Sequence, residues 1–246
     1  MKKSIAFFKR NLLEYLRSPL MLFFTLIFPI LMFFVFQLIK LGTGATDDIV
    51  PMFETKNLIA SICVFSFSFI ALNLSTQISK DRNSAFQTRL KVSPLTPLNF
   101  FVGYFLPCLI IAIIQIILCF LVGFCFGLKL DINILFAFLT LAFISFFYIS
   151  VGILIGSLCN EKVCGGISSI IVNATAIFSG MFFPLTTGTF KTILSFFPFL
   201  PSVALPQTIL NNTTENLLLY FIVLVFYTIL VFLLSSLAFK RKLKNA

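Results

Sequence analysis

Histidine is absent from this chain. That removes the commonest metal ligand and the side chain that most readily shuttles protons near neutral pH. Charge is scarce as well, with 11% of residues charged and only eight of those acidic. No phosphate-binding loop of the GxxxxGK[ST] type and no GxSxG nucleophile turn occurs. The sequence therefore predicts no catalytic, cofactor-binding or metal site, and a membrane enzyme lacks the polar cluster it would need. The six cysteines (Cys63, Cys108, Cys119, Cys125, Cys159 and Cys164) form no CxxC pair. Most fall in apolar runs and read as small buried hydrophobes.

What is present is apolar surface. Fifty-nine per cent of the 246 residues are hydrophobic and the mean hydropathy is +1.09. Soluble domains hold about 45–50% apolar and about 25% charged residues. The expected fold class is an all-α polytopic membrane protein, a single transmembrane domain over residues 1–246 with no separate soluble domain. Six spans are expected, at about 20–39, 58–78, 101–128, 132–158, 163–183 and 217–239. The net charge of +10 does not point to nucleic acid, because the basic residues sit in loops beside apolar runs.

Residues 2–17 form an amphipathic pattern. Ile5, Phe8, Leu12, Tyr15 and Leu16 share one side, and Lys3, Arg10 and Arg17 fall seven apart on the other, flanked by Glu14. This predicts an interfacial helix with its basic groups toward anionic lipid head groups. Pro29 is expected to kink the first span. Two GxxxG pairs, Gly123 with Gly127 and Gly152 with Gly156, permit close helix approach within or between subunits. The fifth span, rich in small and polar residues, suits a helix packed inside a bundle or lining a route. Prolines 198, 201 and 206 break the apolar pieces at 190–210, which are expected to be interfacial or re-entrant.

Asn73, Gln77, Gln115, Asn173 and Ser179 are the polar side chains inside the spans that are candidates for a substrate route or for helix packing. With the amino terminus inside and six crossings, fourteen of the eighteen Lys and Arg residues fall on the cytoplasmic side. Lys40, Lys56, Lys129 and Lys191 are the outer four. The positive-inside tendency then puts both termini in the cytoplasm. Residues 79–99 are cytoplasmic in this arrangement. A short helix over Ser84 to Val92 would place Phe86 and Leu90 on one face, before Ser93-Pro94 and Thr96-Pro97 stop it. It reads either as a charged loop that anchors topology or as a docking helix for a cytoplasmic partner.

The basic start running into YLRSPLMLFFTLIFPILMFFVF, the segment KVSPLTPLNFFVGY and the stretch IVNATAIFSGMFFPL before FPFLP together resemble the membrane subunit of type 2 ABC exporters, of the bacterial multidrug and antibiotic kind. The resemblance runs over essentially the whole chain. It implies that residues 2–17 are a connecting helix and that residues 82–92 are a coupling helix, with Arg82, Phe86, Arg89 and Leu90 meeting a separate ATPase. It places residues 190–210 near the outer face. It further implies two permease subunits, as a homodimer or heterodimer, and two ATPase subunits that hold ATP and magnesium. The assembly would sit among the lipids of a bacterial plasma membrane. The uncharged spans favour a hydrophobic or amphiphilic cargo such as a drug, antibiotic, peptide or lipid. Export of polysaccharide or lipid-linked glycan, an ion-exporting permease and a self-sufficient secondary carrier are the alternatives.

Overall fold

The computed structural model describes residues 2–43, 53–83, 97–181, 188–214 and 216–245. The described residues form helices and turns, beginning with α1, Lys2–Arg17. The first span is composite. It starts at α2, Pro19–Leu22, where proline fills the first helical position and its missing N–H costs nothing. It continues through a π turn, Phe23–Ile27, into α3, Phe28–Thr43. Then follow α4 (Thr55–Asn83), α5 (Pro97–Cys125), α6 (Ile132–Leu158) and α7 (Glu161–Phe178). The short α8 (Thr189–Ser195) and α9 (Phe199–Leu210) precede the last span, α10 (Leu217–Asn245).

Among the described residues, five segments are long and apolar enough to cross a bilayer, and the bent pair α8–α9 makes up to six. Helix α7, eighteen residues long, is not among the five. The hub is α4, whose apolar window is 89% buried, against 22% for the first span and for α10. It packs against α6, α7, α5 and α9. The α4–α6 contact is close because Gly152 and Gly156 face α4 backbone. A Cβ on Gly156 would stand 2.8 Å from the Ser75 carbonyl oxygen, and one on Gly152 the same distance from that of Ala71. This glycine pair works inside the subunit. The other pair does not act as a pair. Gly123 meets the Ile59 side chain, whereas Gly127 lies beyond the end of α5 at φ +87°. The Leu128 N–H there returns 3.0 Å to the Gly123 carbonyl, which closes the helix end as a Schellman turn.

α7 uses a narrow stripe for packing: Cys164, Ser168, Val172 and Thr175 are buried, while Gly165 and Gly166 have open space where a side chain would stand. Of the two expectations for this segment, a helix packed inside the bundle or one lining a route, the first does not hold within this chain. Before the last span the chain bends by 93° between α8 and α9. α9 then lies buried against α4, α6, α7 and α10. Its Ser202 hydroxyl is 3.4 Å from the Tyr148 hydroxyl, roughly 24 Å along α6 from its start at 1.5 Å per residue. Gln207 Nε2 and Asn211 Nδ2 tie its other end to Asn57 on α4. α9 is therefore re-entrant and does not lie on the surface.

Candidate functional site

Two prolines decide how α1 is held. A proline inside a helix leaves the carbonyl four residues back without its donor, and in a bilayer that carbonyl needs another. Pro107 in α5 opens the Gly103 carbonyl, and Asn11 Nδ2 donates to it at 2.8 Å. The Phe7 ring occupies the space where a Gly103 side chain would stand. It meets Phe100 and Tyr104 edge-on, with centroids 5.3 and 5.0 Å away. Pro29 likewise cannot donate to the Thr25 carbonyl, and the Ser66 hydroxyl of α4 donates to it at 2.9 Å.

One helical turn beyond Asn11, Tyr15 is fully buried. The Thr25 hydroxyl donates to the Met21 carbonyl at 2.7 Å, so in its 2.6 Å contact with Tyr15 the tyrosine is the donor. Asn73 Nδ2 donates to both oxygens, at 3.3 and 3.2 Å. Asn73 thus joins α1, the π turn and α4. Burial pushes the Tyr15 phenol well above its ordinary range, against the lowering effect of its hydrogen bonds to Thr25 and Asn73.

One end of this seam is charged. Arg10 donates to both oxygens of Asp81, each at 2.7 Å, and Tyr104 donates its hydroxyl to Asp81 Oδ2 at 2.7 Å. Glu14 lies 2.9 Å from the same guanidinium. Burial pulls the Arg10 pKa down, but the hydrogen bond and charge of Asp81, with Glu14 behind them, push it up overall. The bidentate geometry fixes orientation as well as charge. Arg10 therefore faces α4 and α5 where the pattern at residues 2–17 predicted lipid head groups. The buried stripe of α1 is Phe7, Asn11 and Tyr15, and the expected apolar residues Ile5 and Leu16 are exposed.

Arg82, the next residue, turns the other way. Its Nη1 donates to the carbonyls of Gly156, Ser157 and Cys159 at 2.8, 2.6 and 3.3 Å. These lie at the carboxyl end of α6, where carbonyls have no helical donor and the helix dipole is negative. Arg82 belongs to the last turn of α4 and caps α6; it does not begin a separate helix. The end of α4 thereby splints α1, α5 and α6 just before residues 84–96. Phe86, Arg89 and Leu90 of the expected coupling helix lie outside the described residues.

The other candidates are not brought together. Gln115 is fully buried and donates to Cys119 Sγ at 3.3 Å, leaving its Oε1 without a partner. Gln77 is buried on α4 with its Nε2 unpartnered. Ser179, buried beyond the end of α7, accepts the Met181 N–H at 3.3 Å, and Asn173 is exposed on α7. Sequence reading missed Asn11, Thr25, Ser66 and Tyr104, and took Tyr15 as part of an apolar face without its polar partners. The prolines four residues beyond Gly103 and Thr25 were the available signal.

The fold is that of a polytopic membrane permease: long apolar helices around a buried hub, with a re-entrant helix before the last crossing. A model of the ABC-2 family transporter proteins matches residues 54–237. That is most of the chain, and the chain belongs to this family. No curated protein matches it significantly. Members of the family are non-catalytic transport subunits that typically work with a separate ATPase in oligomeric complexes.

Proposed function

We propose that this chain is the membrane half of an ATP-driven exporter for hydrophobic or amphiphilic compounds, such as a drug, an antibiotic, a peptide or a lipid-like molecule. A separate ATPase, with ATP and magnesium, binds the inner face, and two permease chains pair in the plasma membrane with both termini in the cytoplasm. One observation carries the cargo class. Among the described residues, Asp81 is the single charged side chain that is buried, and it sits at the inner end against Arg10. Hydroxyl and amide groups are the remaining buried polarity, so the bundle offers apolar and hydrogen-bonding surface and no carboxylate pathway for ions. The basic segments support the orientation: Lys40, Lys56 and Lys129 line one cavity with Glu54 and Asp131, at the opposite end of α4 from Asp81.

The test is ATP-dependent accumulation of a fluorescent amphiphile in inverted vesicles holding the chain and the ATPase encoded beside it. Accumulation that needs ATP and both subunits supports the proposal. Accumulation driven by an ion gradient in the chain alone would make it a secondary carrier.

A further inference from the structure

A cavity of about 620 Å³ opens where α3 and α5 end and α4 and α6 begin, away from Asp81. That volume lies in the range of small-molecule sites. Lys40 in the last turn of α3 lines it, with Lys56 in the first turn of α4 and Lys129 between α5 and α6. Leu128, Leu130 and Ile134 give the same cavity an apolar wall. All four helices belong to segments that cross the bilayer, so the cavity lies at headgroup depth.

Donors and acceptors are unevenly matched here. Lys56 is half-buried and Lys129 exposed, and neither ammonium forms an ion pair or a side-chain hydrogen bond among the described residues. The N–H groups of Lys129, Leu130 and Asp131, which also line the cavity, donate to no protein acceptor among the described residues. The two carboxylates of the lining are engaged with their own chain neighbours. Asp131 Oδ1 accepts the Ile132 N–H and its Oδ2 accepts from Asn133 Nδ2, each at 2.7 Å. Glu54 Oε2 accepts from Asn57 Nδ2 at 3.3 Å. Two ammonium groups confined to one cavity repel, and an anion that accepts from both removes the repulsion. Lysine is a compact point charge with three donors rather than a planar fork, which suits the oxygens of a phosphate. Basic pockets between spans meet such groups at headgroup depth.

We propose that this cavity binds one phosphate group. The Lys56 and Lys129 ammonium groups donate to its oxygens, together with N–H groups of the connection at 129–131. The phosphate belongs to an anionic lipid headgroup or is free in solution, and the two sources are separated below.

The test needs neither the ATPase nor transport, so its failure is distinct from failure of the exporter reading. The full chain, purified in neutral detergent, is offered phosphatidylglycerol or a diacylglycerol with the same acyl chains. Retained lipid is counted by native mass spectrometry. In parallel, the unfolding temperature is followed in inorganic phosphate and in chloride at equal ionic strength. Retention of phosphatidylglycerol several-fold above the diacylglycerol, with no effect of inorganic phosphate, makes the ligand a lipid. A higher unfolding temperature in phosphate makes free phosphate a ligand. Either effect should fall several-fold in Lys56→Gln combined with Lys129→Gln. It should persist in Lys9→Gln combined with Arg17→Gln, which removes the same charge from the exposed face of α1. Equal losses in the two double variants would reduce the effect to net charge and overturn the site. Absence of both effects from the wild type would also overturn it. If they then emerged in Asp47→Asn combined with Asp48→Asn, acids of the chain itself would stand in the place of the phosphate.

Discussion

Asn11 and Gly103 are joined by a 2.8 Å hydrogen bond from side-chain amide to backbone carbonyl, and Pro107 is the reason that carbonyl is open. The bond fixes the rotation of α1 about its own axis. Once Asn11 points at α5, Phe7 and Tyr15 must point there too, and Arg10 comes round to Asp81. A helix that the sequence presents as a lipid-surface element is thereby part of the bundle.

Asn11→Leu should cost about 1–3 kcal/mol, the cost of stranding a buried acceptor. In a Pro107→Ala background, where an alanine N–H can close the α5 ladder, the same change should cost less. Thermal unfolding of the four purified variants gives the coupling, and a cycle with no coupling would refute the link between these two residues.

Asp81→Asn keeps the shape but removes the charge that Arg10 and Tyr104 address. Arg10 is one-third exposed, so solvent screens part of the loss, and about 1–2 kcal/mol is expected. Exchange to Arg10→Asp with Asp81→Arg should recover part of it. Failure of either single variant to lower the unfolding temperature would show that the pair does not hold α1.

Gly156→Ala should destabilise by about 1–3 kcal/mol, because the added methyl meets backbone of α4 that cannot step aside. Gly166→Ala, with nothing within 4 Å, should be neutral or slightly stabilising through helix propensity. Equal effects of the two would mean that α4 and α6 do not pack as described.

In a background lacking the native cysteines, single cysteines at positions 48 and 212 should react with an impermeant reagent from outside intact cells. A cysteine at position 87 should react after permeabilisation. External labelling at 87 would reverse the orientation.

Phe86→Ala combined with Leu90→Ala should release the ATPase, or uncouple hydrolysis from export, at unchanged membrane levels of the chain. These positions lie outside the described residues, and the prediction rests on the sequence pattern of a knob bordered by Arg82 and Arg89. The structure narrows it: Arg82 is engaged with the end of α6, so Arg82→Ala should lower stability rather than ATPase affinity. Retained binding and retained export in the double variant would favour the anchoring-loop reading.

The membrane class, the long apolar helices and the break before the last span were legible in the sequence. Each is a local property: hydropathy over about twenty residues, or prolines in a short stretch. The same locality let the periodicity at residues 2–17 find a helix and put Tyr15 on its apolar side, but turn Arg10 toward lipid head groups. Hydrophobic patterning cannot single out Asn11 as the residue turned inward, because its partner is a backbone carbonyl ninety-two residues away. Nor can it tell which of two glycine pairs is a contact and which ends a helix, since Gly152 and Gly127 look alike until α4 lies against one of them. Tertiary structure decided the pairing of Arg10 with Asp81, the capping of α6 by Arg82 and the burial of α9. Those depend on how helices rotate and slide against one another, and in a bilayer that is set by which open backbone groups and buried polar side chains find each other.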